Sequence, residues 1–357
     1  MPFKRVNRAP APGVRYLIKM TQTPKATEER LQEIKRAAAD GTLAIGDPAK
    51  SKGHPQIAGH DSYYGLPLLK PPLWTWEVPL YFFIGGVSGI SACMAFAAQL
   101  FEKDPAMIRA LLWMALIGAA ICPALLISDL GRPSRFLNML RVFKLKSAMS
   151  VGAWVLTASG GGAFLAVAGN ELILHGLASP WVISLRWAGL SLGAIAGLLL
   201  ASYTAVLIGA TAIPVWSQNR TILPVHFLTS GLGCSAGILE LMGFLIPATQ
   251  VLGFVAAGIE TALKVLFEVR RPPVNAPLHR GKTGMVFRVA GMLEGPSALL
   301  VRVFFGSVPW GRWTAAICFL AGALVSRYAW IAAGRASAKD PEALFQIQRK
   351  KPLKTTN

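Results

Sequence analysis

Trp76 and Glu77 stand where a long apolar run opens, and Asp129 and Arg132 lie three apart in the segment Ser128-Asp129-Leu130-Gly131-Arg132-Pro133-Ser134-Arg135-Phe136, between two further apolar runs. A carboxylate and a guanidinium so placed can pair and cap a turn, or hold a polar ligand and exchange protons with it. Glu240, Glu260, Lys264, Arg288 and Glu294 lie deeper, inside apolar runs. Charge among apolar neighbours is costly and calls for a partner or a function. Glu260 and Lys264 are four apart, so one helix face carries both and they can pair locally, whereas Glu294 has no partner at such a spacing. Two readings stand side by side: a proton path through Glu77, Glu260 and Glu294, or interhelical salt bridges that only hold helices together.

These residues need elements to position them, and composition defines the elements. Of 357 residues, 53% are hydrophobic and only 15% charged, against about 25% charged in soluble domains; mean hydropathy is +0.47. Eight windows approach the ~20 apolar residues needed to cross a bilayer, near 79–101, 107–128, 148–169, 185–211, 222–244, 247–268, 284–305 and 312–333. The expected fold is an all-α polytopic membrane protein. The formal charge of +19 follows the loops: both tails, Arg132 to Lys146, Arg220 and Arg270 to Lys282 are basic and share one side. The intervening connections are poor in Lys and Arg, which predicts cytoplasmic termini in a bacterial-type inner membrane and argues against a nucleic-acid partner.

The acid-Arg-Pro turn has an echo in Phe267-Glu268-Val269-Arg270-Arg271-Pro272, and the run from Phe83 to Ala92 resembles Phe227 to Ala236, with Gly89, Ser91 and Ala92 aligned on Gly233, Ser235 and Ala236. Small residues there let helix backbones approach closely. The expected organisation is a duplication: a cytoplasmic extension over 1–70, a first four-helix bundle over 71–215, a second over 216–335, and a basic tail over 336–357. The N-terminus shows no apolar targeting segment, and residues 25–40 suit a short soluble helix with Thr27 as N-cap. Cys93, Cys122, Cys234 and Cys318 are isolated in different apolar runs and read as packing residues.

Four motifs in order carry a family resemblance: Trp74 to Gly86; Asp129-Leu130-Gly131-Arg132-Pro133; Ser147 to Trp154; and Pro214-Val215-Trp216 followed by Pro224 to Gly231. From about Tyr63 onward the chain resembles the NrfD/PsrC family of polysulfide-reductase-type membrane subunits. The resemblance implies a quinone-reactive anchor in a multisubunit oxidoreductase, beside a ferredoxin-like iron-sulfur subunit and a molybdopterin-type or other catalytic subunit, with menaquinone or ubiquinone as the cofactor. In that family a polar residue at the start of the first span, often His or Asn, contributes to quinone binding; here Trp76 and Glu77 occupy the neighbourhood.

Of five histidines only His226 falls within a span, so the paired axial ligands of membrane haem are missing; neither haem nor metal is expected in this chain. A quinone site needs an apolar slot, hydrogen-bonding groups and a proton route. The expected set is Trp76, Glu77, Tyr81, Asp129, Arg132, Met149 and Trp154, all at the cytoplasmic ends of the first bundle. Duller roles compete: an aromatic belt for Trp74 and Trp76, turn capping for Asp129 and Arg132, and a helix N-terminal charge for Glu77. The catalytic partner is expected on the same side. The competing class is a secondary transporter, against which stands the lack of an obvious mid-span helix break in the sequence.

Overall fold

Backbone polar groups in lipid must be satisfied within each segment, so long apolar runs cross as helices. The computed structural model describes residues 69, 72, 74–129, 140–141, 143–144, 147–270 and 272–340. Arg132, most of the first acid-Arg-Pro turn and the expected helix over 25–40 lie outside the described residues. Among the described residues eight helices are long and apolar enough to span: α1 Glu77–Leu100, α2 Pro105–Asp129, α3 Ala148–Leu174, α4 Pro180–Gly209, α5 Ile222–Leu241, α6 Pro247–Val269, α7 Gly281–Phe305 and α8 Pro309–Ala338. No strand occurs among the described residues. The protein is a multi-pass, all-α membrane protein.

Local signals set the ends. Proline opens α2, α4, α6 and α8, where its missing N–H would have had no partner. Ser147 caps α3 by accepting from the Ser150 amide at 3.4 Å. Helices α3 and α5 both stop at a glycine of positive φ, Gly176 (+88°) and Gly243 (+96°). In each, the next amide reaches back to the final turn: Leu177 N–H donates to Leu172 O at 2.9 Å and Phe244 N–H to Leu239 O at 3.0 Å. This reversal closes the orphan carbonyls of a helix end.

Within the first four helices, α1 packs on α2 and α4, and α3 on α2 and α4. In the second four, α5 packs on α6 and α8, and α7 on α6 and α8. Contacts of α1 with α5 and α8, and of α4 with α5, join the two sets. Backbones come together at small residues: a Cβ on Gly89 would lie 2.2 Å from Gly197 O, so α1 and α4 cross there only because neither has a side chain. Ser91 Oγ lies 3.3 Å from Ser235 Oγ, and Ser235 donates to Val87 O at 3.1 Å, which fastens α1 to α5. Outward faces carry Ile117, Phe164, Ile195, Val251, Phe304 and Ile317, all exposed, as a lipid-facing surface requires.

One feature departs from the sequence expectation. Helix α7 breaks at mid-span into a π turn, Leu293–Ser297, between Gly281–Met292 and Ala298–Phe305. Pro296 lies inside it; its ring cannot donate to the helical ladder and displaces the carbonyl one turn back, so the backbone widens. The short helix Pro214–Gln218 between α4 and α5 buries Pro214, Val215 and Trp216. Trp216 Nε1–H donates to Trp330 O at 2.9 Å and Val215 N–H to Ser337 Oγ at 3.2 Å, tying this turn to α8.

Candidate functional site

The face bearing Arg220, Arg270, Arg280 and Lys282 is here the basic face. On it, the Thr75 hydroxyl donates to Glu77 Oε2 and also lies 3.3 Å from Asp129 Oδ1. Thr75 thus brings the first turn of α1 to the last turn of α2, with two carboxylates side by side. Trp76 is 59% exposed beside them, and its carbonyl accepts from Tyr328 OH of α8 at 3.0 Å. Trp74 stacks on Trp216 at 5.5 Å and 14°. Trp76, Glu77 and Asp129 therefore form one group. Tyr81 lies below it, buried against Phe82. Met149 and Trp154 are exposed on α3, Trp154 packing edge-on against Phe143 at 6.0 Å; among the described residues no hydrogen bond or ring contact joins either to Trp76 or Glu77.

An apolar groove of about 680 Å³ runs along the same two helices, lined by Phe83, Ile84 and Val87 of α1, Ile117 and Ile121 of α2, and Ile238 of α5. It begins about two turns in from the carboxylates and continues towards the far face.

The second ionisable group lies deeper, between α5, α6, α7 and α8. His226 Nδ1 is 2.8 Å from Glu260 Oε2, both nearly inaccessible. Ser326 Oγ at 3.4 Å and Arg327 Nη1 at 3.5 Å approach His226 Nε2. A guanidinium only donates, so this geometry suits the tautomer with the proton on Nδ1, donating to Glu260. The Arg327 guanidinium lies over the Phe227 ring, 3.7 Å from its centroid, which stabilises a cation away from water. Glu294 sits in the π turn at 1% exposure, its carboxylate near the buried Ser230 hydroxyl without a well-formed hydrogen bond, and Glu260 Oε1 is unpartnered. One donor atom from each of His226, Glu260 and Glu294 lies within 4.8 Å of the others. A small cation, or a proton shared between carboxylates, fits that spacing.

The expected Glu260–Lys264 pair does not form. Lys264 Nζ bonds Glu268 Oε1 at 2.8 Å instead, while Glu260 turns one oxygen to His226 of α5. Residues that sequence reasoning passed over complete the arrangement: Arg327 and Ser326 here, and Arg302 and Arg312 at the far end. There Glu240 of α5, fully buried, accepts from Arg302 at 3.0 and 2.7 Å and from Arg312 at 3.0 and 2.7 Å. Arg312 also donates to Thr249 Oγ1 at 2.7 Å. For the three arginines the signal was present: an arginine inside an apolar helix.

Eight spanning helices, a polar group at one membrane face and a buried ionisable cluster define a polytopic membrane protein built to handle charge within the bilayer. The chain matches the polysulfide reductase family NrfD_2 over residues 61–339. It belongs to that family, and so is a membrane subunit of redox-complex type. No curated protein matches it.

Proposed function

We propose that this chain is the quinone-reactive membrane anchor of a multisubunit oxidoreductase, passing electrons between a partner iron-sulfur subunit and the quinone pool. The observation that carries the reading is the pairing of Glu77 and Asp129 through Thr75 at the basic ends of α1 and α2, with an apolar groove on those same helices. Quinone reduction to quinol takes up two electrons and two protons. Carboxylates at the membrane face can relay protons from water, the exposed Trp76 indole offers a stacking surface, and the groove suits a polyprenyl tail. Electrons come from outside, from a ferredoxin-like subunit on the basic side that serves a molybdopterin-type or other catalytic subunit. The basic face is read as cytoplasmic. Ser91 meeting Ser235 at aligned positions supports a duplicated origin for the two sets of four helices.

The buried cluster extends the proposal. Two carboxylates face one fixed guanidinium, so His226, Glu260, Glu294 and Arg327 have room for one exchangeable proton, a relay between the basic face and mid-membrane. The second reading, ion translocation by a secondary transporter, is favoured by one observation: Glu294 lies on a mid-span helix break, where transporters place their sites.

The test is gentle-detergent purification of the tagged chain, with mass spectrometry of co-purifying subunits and extraction of quinone, repeated for Glu77→Gln. Iron-sulfur protein and quinone with the wild type, and quinone lost from the variant, are expected. A lone chain with neither would refute the anchor reading and put the transporter first.

A further inference from the structure

Sharing Thr75 and Trp76 with the α1–α2 group, a cleft of about 530 Å³ opens between the start of α1, the start of α7 and the end of α8. We infer that this cleft binds one anionic phospholipid, with the headgroup phosphate held by Lys282 and Arg335. The inference does not rest on quinone chemistry.

Polarity is graded with depth. Lys282 is the second residue of α7 and Arg335 lies in the last turn of α8, so both cations sit at the rim, with the Thr283 hydroxyl beside them. Val286 lies a turn further along α7 and Pro79 in the first turn of α1; with the exposed Trp76 indole they make the inner wall apolar. A phospholipid has the same gradient, with phosphate at the interface and acyl chain within.

The cations are also uncommitted. Among the described residues no carboxylate is in ion-pair contact with Lys282 or Arg335. The neighbouring acid Glu77 accepts the Thr75 hydroxyl and pairs with neither cation. Two such cations at the rim of an apolar cleft suit an anion. Basic pockets between helices on the cytoplasmic side commonly hold anionic headgroups.

Each cation near the membrane surface contributes about fivefold in affinity, so the pair gives about 25-fold preference for an anionic over a zwitterionic lipid. The full-length chain, with any co-purifying subunits, is delipidated, exposed to phosphatidylglycerol or phosphatidylcholine of identical acyl chains, and its retained lipids counted by native mass spectrometry. One tightly retained phosphatidylglycerol is expected. It is lost in Lys282→Gln/Arg335→Gln and kept in Arg220→Gln/Lys339→Gln, whose basic residues lie outside the cleft. Single Lys282→Gln, expected to give about a fivefold loss, serves if the double variant does not fold. Equal retention of the two lipids, equal loss in both double variants, or displacement of the retained lipid by a short-tailed quinone would each overturn the inference.

Discussion

Replacing Glu240 by glutamine removes the carboxylate that two buried guanidiniums share. Arg302 and Arg312 are 1% and 5% exposed and Glu240 fully buried, so the two cations would face each other with no water to screen them. Breaking a buried ion pair on one side costs about 3–5 kcal/mol. A neutral side-chain hydrogen bond between membrane helices averages only about 0.6 kcal/mol, so Ser91→Ala at the α1–α5 contact provides a baseline several-fold smaller. At about 2–4 °C per kcal/mol for a domain of some 250 residues, Glu240→Gln should lower the unfolding midpoint by about 6–20 °C. The assay is thermal unfolding in detergent followed by tryptophan fluorescence. Glu240→Gln/Arg302→Met takes away one of the two cations as well and should recover about 0.5–3 kcal/mol relative to the single variant, the range typical of coupled neighbours. A midpoint within 2 °C of wild type for Glu240→Gln, or a double variant less stable than the single, would refute the account of a carboxylate clamping two helices.

Glu294→Gln should behave in the opposite way. Among the described residues its carboxylate is in no ion pair, so it has little to lose in stability, and its midpoint should stay within a few degrees while proton uptake coupled to the proposed quinone turnover falls; unchanged turnover and proton movement would remove Glu294 from the path. Gly89→Val forces a Cβ to within 2.2 Å of Gly197 O and should cost at least the ~1–3 kcal/mol of an overpacked core, seen as reduced yield of folded chain. Gly258→Val, where nothing lies within 4 Å, should be tolerated; equal yields for the two variants would contradict the close approach of α1 and α4.

The spans were legible because lipid leaves the chain little choice: apolar length specifies a crossing helix almost regardless of detail. The ends were less so. Helix α4 begins at Pro180 and α8 runs to Ala338, each past its apolar window, because Pro180 presets a helix start and Arg335 continues the last turn at the interface. The Lys264 pairing was ambiguous by construction, since Glu260 and Glu268 each lie four residues away, and the contact of Glu260 with His226 from another helix is nothing a spacing reveals. The π turn was hidden for a related reason. Gly295-Pro296 signals disruption, but whether a helix kinks, stops or widens depends on what packs against it. Within the quinone set, Trp76, Glu77 and Asp129 come together because each sits at a helix end on one face. Met149 and Trp154 share that face in sequence, but their side-chain directions depend on the rotation of α3, which no spacing reveals.

The position of α1 has a consequence for synthesis. It packs on α2 and α4 but also on α5 and α8, so the first span inserted is among the last to be fully covered. At about 5–20 residues per second, the interval between emergence of Glu77 and of Ala338 is roughly 10–50 s. Through that time the face of α1 carrying Gly86, Val87 and Ser91, which α5 later meets, lies open to lipid or to an insertion factor. Ribosome stalling or truncation after α4 would leave that face uncovered, making the half-made chain a substrate for membrane quality control.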